Sequence, residues 1–278
     1  GVQTCALPIL ELQSKATSII TNEYGHKIAI SCMNDSIIIL SSQNLQKISE
    51  IVNLDSTPYS VSYSSASNGS ILAAGFADGS VRLYQESREI YRFNSQKGAI
   101  LSVAYHPVKN MVAAASLDGT FAVISKEGDT WNPLIVEASK MGLSAIAWGS
   151  DSDIVQTIIV GGCDGVVRVF RSAGGGWEMT CAAQVHNGWV RKLSSPKVPA
   201  GGMQKVASTG DDHIAYVEKI VGNTINVQKI AKFDKETTGV SWAVVDKVIV
   251  LSHEDNTVSI YTENNDGEIG RASCRERV

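Results

Sequence analysis

The stretch VGGCDGVVRVF, residues 160–170, sets a tight Asp-Gly turn between two apolar runs, and this arrangement recurs along the chain. The other copies are CMNDSIIIL (32–40), FADGSVRLY (76–84), SLDGTFAVI (116–124), GDDHIAYVE (210–218) and SHEDNTVSIY (252–261). Successive turn aspartates are 43, 40, 46, 48 and 43 residues apart; they are Asp35, Asp78, Asp118, Asp164, Asp212 and Asp255. A repeat of this length indicates one small structural unit per copy.

Each copy predicts four strands. A run of small or apolar residues precedes the aspartate and an alternating run follows it, as in TIIVGG (157–162) and VVRVF (166–170), which indicates strand, turn, strand. Another strand precedes this hairpin, as in LSAIAWGS (143–150), and a fourth follows most copies, as in EIYRF (89–93). Four strands in about 40–45 residues is typical of a WD-repeat propeller blade. We therefore predict an all-β, six-bladed WD-repeat β-propeller in which the six aspartates hold turns.

Composition narrows the classes of function. The 278 residues carry 24 basic and 28 acidic side chains, a net charge of −4 and a pI near 5.8, which argues against a dedicated nucleic-acid surface. No apolar run is long enough to predict a membrane span, and no signal peptide is recognisable. Cys32, Cys163 and Cys181 fall in predicted strands or turns, so we expect free thiols and no disulfides.

The two ends of the sequence do not follow the repeat pattern. Residues 1–9, GVQTCALPI, and residues 269–278, IGRASCRERV, resemble conceptual translations of two sequencing adapters. We therefore expect the propeller to occupy residues 10–268, with six units as a lower bound. The last unit is expected to stop after its third strand, near Tyr261–Glu263, so that the first and last blades are truncated or incomplete and the ring is open.

The second half of the chain carries the motifs of one family. IIVGGCDGVVRVF (158–170) is followed by HNGWVRKLSSP (186–196), and GVSWAV (239–244) precedes the hairpin SHEDNTVSIY. This succession resembles the Sec-thirteen family, with its Gly-Gly-Cys-Asp hairpin in blade four, its His-x-x-Trp-Val-Arg start of blade five and its Val-Ser-Trp in blade six. The resemblance extends in collinear order over nearly all of residues 16–268.

The resemblance implies a non-catalytic scaffold subunit of the COPII vesicle coat, in transport from the endoplasmic reticulum to the Golgi, and of the nuclear pore outer ring. It implies a cytoplasmic protein, peripheral on ER-derived vesicles or at the pore. In this family an open six-bladed ring is completed by a blade from a partner, either the Sec-thirty-one α-solenoid or a related helical nucleoporin. We expect this contact at the first and last blades, at Thr17, Ile19, Ile28, Ile38, Val240, Trp242, Val248 and Val250.

Two hypotheses from other classes of function stand beside the scaffold hypothesis. A substrate-recruiting propeller, such as a ubiquitin-ligase receptor, would need a closed seven-bladed ring. A hydrolytic or metal-dependent propeller would need converging histidines and carboxylates, but the five histidines are scattered and no phosphate loop or nucleophile motif occurs, so we expect no catalytic, metal or cofactor residues.

The hydrogen-bonded Asp–His–Ser/Thr–Trp set of WD repeats is incomplete in every blade. Blade five comes closest, with His186, Ser208 and Asp212, but lacks the tryptophan. The position six after each aspartate, often tryptophan in WD repeats, holds Ser41, Tyr84, Ile124, Phe170, Glu218 and Tyr261.

Overall fold

The computed structural model describes residues 11–22, 25–64, 71–94, 96–149, 155–196, 204–242, 247–264 and 267–272. These residues form six four-stranded antiparallel sheets, and the strands of each sheet follow one another in chain order. Each sheet is one propeller blade, so the predicted all-β fold with six blades is confirmed. The described residues contain no seventh blade.

The blades follow the chain without exchange of strands. Blades one and two comprise β1 (Ala16–Thr21), β2 (Lys27–Cys32), β3 (Ser36–Ser41), β4 (Lys47–Ile51), β5 (Pro58–Tyr63), β6 (Ile71–Phe76), β7 (Val81–Gln85) and β8 (Arg88–Phe93). Blades three and four comprise β9 (Ile100–Tyr105), β10 (Met111–Ser116), β11 (Thr120–Glu127), β12 (Thr130–Glu137), β13 (Leu143–Trp148), β14 (Thr157–Gly162), β15 (Val166–Ala173) and β16 (Gly176–Gln184). Blades five and six comprise β17 (Val190–Ser194), β18 (Gln204–Gly210), β19 (Ile214–Val221), β20 (Thr224–Lys232), β21 (Thr237–Trp242), β22 (Val248–His253), β23 (Val258–Glu263) and β24 (Ile269–Arg271).

The last blade differs from the prediction. It has a fourth strand, β24, of three residues, which pairs with Tyr261–Glu263 of β23. This strand falls within residues 269–278, which were expected to lie outside the propeller. The first blade also has four strands, so neither terminal blade is truncated in its strand count.

The turn of blade one is shifted by one residue from its predicted position. In the other blades a residue with positive φ follows the turn aspartate, as Gly165 (φ +77°) follows Asp164. In blade one Asp35 itself has φ +57°, so it occupies the left-handed position that glycine fills elsewhere. Asn34 takes the place of the turn aspartate, and its Oδ1 accepts a 2.9 Å hydrogen bond from Ser36 Oγ. The prediction that Asp35 caps this turn is therefore corrected to Asn34.

The hydrophobic core lies between the blades. Five clusters of buried side chains each join two consecutive blades, from blades one and two to blades five and six. The innermost strands pack in the same order, β1 on β5, β5 on β9, β9 on β13, β13 on β17 and β17 on β21. No comparable contact joins β21 back to β1 within the described residues. Within the part of the chain that the structure describes, the six blades therefore form an arc, and neither end face has a neighbouring blade.

Candidate functional site

The candidate site is the open flank, defined as the outward faces of blades one and six. One position per blade shows it clearly, the third residue after the turn Asp or Asn34, which points to the next blade. In blades one to five this residue is 0% exposed. In blade six it is Val258, and 60% of its surface is exposed. The five buried equivalents are Ile37, Val81, Phe121, Val167 and Ala215.

The face of blade one that points away from blade two is also partly exposed. Each inner strand carries an apolar residue directed at the preceding blade, just after a β-bulge. Val61, Val103 and Ile146 hold this position in blades two to four, and each is buried. Ile19 holds it in blade one and is 65% exposed. The flank therefore presents exposed apolar side chains at both ends of the arc.

Five of the eight predicted contact residues lie on the open flank. Ile19, Ile28 and Ile38 share the outward face of blade one, since Ile19 and Ile38 both pair with Ile30 and Ile28 lies two residues away on the same strand. Val248 and Val250 alternate with the buried Ile249 and Leu251, so they share the outward face of β22, and both are half-buried. Partner contact at these five residues stays a prediction.

The other three predicted contact residues point into the chain. Thr17 Oγ1 hydrogen-bonds to Ser31 Oγ at 2.8 Å and to the Pro58 carbonyl oxygen at 2.6 Å, so it faces blade two. Val240 and Trp242 pack in the core between blades five and six. The expectation that these three contact a partner is therefore corrected, because each already packs against a neighbouring blade.

The two ends of the flank are not equally bare. On blade one, Ile30, Cys32 and Leu40 are buried, and Leu12, from the segment before β1, packs against them. The Met33 N–H also donates to the Lys15 carbonyl oxygen at 2.9 Å, which holds this segment beside the blade. Blade one thus has a partial cover from its own chain, whereas Val258 on blade six does not.

Sequence reasoning missed Val258 and Ser241. Val258 was detectable, because it is the third residue after Asp255 and matches Val167 after Asp164. Ser241 is exposed on β21 between Val240 and Trp242, and the apolar character of these two neighbours made them the predicted contact residues instead. The bulge between Thr237 and Gly239 decides which of these side chains face outward, and the sequence alone does not reveal it.

The turn aspartates act as caps. In five blades the carboxylate accepts the backbone N–H two residues later at 2.9–3.1 Å. Burial raises the pKa of these carboxylates, but hydrogen bonds from neighbouring side chains and from backbone N–H groups outweigh it, so the pKa of each lies below its ordinary value. The five are Asp78, Asp118, Asp164, Asp212 and Asp255. Asp78 and Asp164 also bind the arginine four residues on, Arg82 at 2.7 Å and Arg168 at 2.5 Å. Every one of these carboxylates is thus occupied within its own blade.

Blade five contains a buried polar chain in which Glu218 stands where tryptophan is often found. Asp212 Oδ1 lies 2.9 Å from His186 Nδ1, and His186 Nε2 lies 2.7 Å from Ser208 Oγ. Ser208 Oγ is in turn 2.5 Å from Glu218 Oε1. Burial raises the pKa of Glu218 to about 8, and burial lowers the pKa of His186 although Asp212 opposes this.

With Glu218 protonated and His186 neutral, one arrangement of protons satisfies these three hydrogen bonds. Ser208 has one hydroxyl proton, which it donates to neutral His186, while protonated Glu218 donates to the Ser208 oxygen. The order Ser208–His186–Asp212 is that of a nucleophilic triad, but Ser208 and Glu218 are completely buried and no substrate reaches the hydroxyl. The chain of hydrogen bonds therefore ties the turn of blade five to its strands.

Within the described residues, no three His, Cys, Asp or Glu side chains are grouped so as to hold a metal ion. The same residues include no helix of the length and apolarity that a bilayer span requires. Cys32, Cys163 and Cys181 are free thiols.

Comparison with known proteins agrees with this geometry. The family model "WD domain, G-beta repeat" matches residues 87–125. The crystal structure of the RRP9 WD40 repeats superposes with a TM-score of 0.79 at 14% identity, over 95% of this chain and 81% of that one. The Cps50 (Swd1) β-propeller domain of Myceliophteria thermophila gives a TM-score of 0.75 at 13% identity, over 94% and 86%. The chain is thus a WD-repeat β-propeller.

Sequence similarity is more specific. The Drosophila melanogaster protein named "Protein SEC13 homolog" is 23% identical over 272 residues, 88% of this chain and 76% of the relative. The Coccidioides immitis "Protein transport protein SEC13" is 23% identical over 275 residues, 88% of this chain and 90% of the relative. The propeller is therefore SEC13-like, in agreement with the Sec-thirteen resemblance of its motifs.

Proposed function

We propose that this chain is a non-catalytic scaffold subunit of the COPII vesicle coat, acting in ER-to-Golgi transport, and also of the nuclear pore outer ring. Its ring is completed at the open flank by one blade from a partner, a Sec-thirty-one type α-solenoid subunit or a related helical nucleoporin. The chain would then work on the cytoplasmic side of ER-derived vesicles. The similarity to SEC13 transport proteins supports the class of function.

The observation that carries the proposal is the exposure of Val258, at a position where every other blade buries its residue completely. Sheet faces in a propeller are buried by the next blade, so the open flank has the chemistry of an interface. A partner blade that covers on the order of 1,000 Å² or more would form a contact of the obligate class.

The role that follows is mechanical. The partner's blade would share a core with blades one and six, and the resulting continuous ring would stiffen the joint between scaffold subunits. The polar groups that resemble catalytic ones are used internally, since Ser208 is inaccessible and the turn aspartates cap their own hairpins.

The test is co-expression of the full chain with the blade-donating segment of a Sec-thirty-one type subunit. We expect a one-to-one complex by light scattering and a higher melting temperature than that of the propeller alone. Val258→Asp should abolish the complex, because it places a charge in the shared core.

The matched control is Val108→Asp, since Val108 is exposed in the hairpin between β9 and β10, away from the flank. It should leave the complex intact. A wild-type chain that stays monomeric and shows no change in melting temperature with the segment would overturn the proposal. So would equal weakening by the two aspartates.

A further inference from the structure

The inner strands of consecutive blades are joined by a repeated hydrogen bond between a serine hydroxyl and a backbone N–H. The Val61 N–H donates to Ser18 Oγ at 3.4 Å, and the Val103 N–H donates to Ser60 Oγ at 3.0 Å. In both cases the serine directly follows the β-bulge of its inner strand. The next blade continues the series, since the Ile146 N–H donates to Ser102 Oγ at 3.3 Å.

A second acceptor lies two residues further along the inner strand. Ser62 Oγ accepts the Tyr105 N–H at 3.0 Å, and Ser194 Oγ accepts the Trp242 N–H at 2.9 Å. Each donor is the aromatic residue that ends the next inner strand. These bonds matter because a backbone N–H buried between two blades costs free energy if it has no acceptor.

Blade six offers the same second acceptor with no blade to use it. The bulge of β21 lies between Thr237 and Gly239, so Ser241 takes the position of Ser62 and Ser194. Its side chain is exposed and has no hydrogen bond within the described part of the chain. Gly239, at the first acceptor position, has no hydroxyl, so Ser241 is the side-chain acceptor that this strand retains.

Blade one offers the complementary donor. Ile19 follows Ser18 as Val61 follows Ser60 and Val103 follows Ser102, so its N–H points in the direction of a missing preceding blade. In blades two to four the equivalent N–H meets a serine hydroxyl. A strand seated between β21 and β1 would continue this pattern with a hydroxyl of its own opposite the Ile19 N–H.

We infer that Ser241 is a partner-binding residue whose hydroxyl accepts a backbone N–H from an inserted β-strand, and that this strand carries a serine or threonine for the Ile19 N–H. The inserted strand would place an apolar residue directly after that hydroxyl residue, as in SVSY (60–63) and SVAY (102–105) of this chain. The inference rests on the proposed function, because it specifies the chemistry of the blade that completes the ring.

The experiment measures the affinity of the wild-type and Ser241→Ala chains for the blade-donating Sec-thirty-one segment by titration calorimetry. We expect Ser241→Ala to bind about three- to tenfold more weakly, as the loss of one acceptor predicts, and to melt like the wild type when alone. Ala at the hydroxyl position of the segment's inner strand should weaken binding to a similar extent.

The matched control is Ser62→Ala, at the same position in blade two. It should lower the melting temperature of the propeller alone and leave the affinity for the segment within about twofold, because its partner lies within the chain. Equal affinities of the wild-type and Ser241→Ala chains would overturn the inference while leaving the proposed function standing. Failure of the wild-type chain to bind at all would overturn the proposed function, and the inference with it.

Discussion

Val167 and Val258 are the same residue at the same place in two blades, yet the first is completely buried and the second is 60% exposed. Each lies three residues after a turn aspartate, near the start of the third strand, with its side chain directed to the next blade. Local sequence therefore does not decide burial at this position. Burial depends on whether another blade stands beside it, and this is why the pair is a sensitive probe of the open flank.

The largest effect is expected inside the arc, at the same position of blade three. Phe121→Ala should lower the free energy of unfolding by about 3–5 kcal/mol, because Phe121 is completely buried and its removal leaves a cavity beside the buried Phe170 ring. The Phe121 ring centroid lies 4.9 Å from that of Phe170 and 6.3 Å from that of Trp177. Urea unfolding measures the loss, and a value below about 1 kcal/mol would contradict this view of the core.

The direct comparison is Val167→Ala against Val258→Ala. In the isolated chain, Val167→Ala should lower the free energy of unfolding by about 2–3 kcal/mol and Val258→Ala by less than about 0.5 kcal/mol, since only Val167 loses packing. Urea unfolding of both variants, side by side, measures the difference. Equal losses would mean that Val258 is covered in solution. Adding the partner segment should make the two substitutions more nearly equal.

The buried polar residues of blade five should make the stability of the protein depend on pH. Glu218 has its pKa raised from 4.5 to about 8 by burial, so its contribution to stability is full below 4.5 and is lost as pH rises to about 8. His186 has its pKa lowered by burial, so above about 6.5 it is neutral in both folded and unfolded states. Between pH 6.5 and 8, the titration of Glu218 should therefore lower the free energy of unfolding by about 2 kcal/mol.

Glu218→Gln tests this expectation. Its amide can donate to Ser208 as the protonated carboxyl does, but it does not titrate, so the loss of stability between pH 6.5 and 8 should be about 2 kcal/mol smaller than in the wild type. Chemical unfolding at both pH values gives the comparison. Parallel pH dependence in the two proteins would show that Glu218 is ionised in the folded state at neutral pH.

The smallest effect concerns the difference between the two ends of the flank. Leu12→Ala should cost about 1 kcal/mol, because Leu12 is half-buried against blade one. It should also speed the reaction of Cys32 with a thiol reagent, since Cys32 is buried beneath the same cluster. Unchanged Cys32 reactivity would show that Leu12 does not cover blade one. Cys163, on a distant blade, serves as the internal control.

The repeats predicted the blades well, and the physical reason is their internal consistency. Each blade combines period-two alternation with a turn whose aspartate or asparagine caps the hairpin, so each of the six copies predicts the same local structure. The error at Asp35 arose because asparagine and aspartate are adjacent there, and both tolerate the left-handed position and act as caps. Only the φ value and the Ser36 hydrogen bond separate their roles.

The open flank was harder to predict, because side chains alternate between the two faces of a strand and one inserted residue reverses that alternation. A β-bulge inserts one residue into each inner strand and reverses which side chains face outward. Thr17, Val240 and Trp242, which were expected to contact a partner, consequently face a neighbouring blade, whereas Val248 and Val250, on the regular strand β22, lie on the outward face. The role of Glu218 was also hidden, since a carboxylate at a usual tryptophan position becomes interpretable only with Ser208 beside it.

The Leu12 cover on blade one has a consequence for copies of the chain that meet one another. Contact between a bare blade six of one copy and a bare blade one of the next would be heterologous, and such contacts extend into open filaments unless their rotation closes a ring. Because Leu12 occupies one of the two mating faces, each end is a poor match for the other. We expect the Leu12 cover on blade one to disfavour such association between copies of the isolated chain.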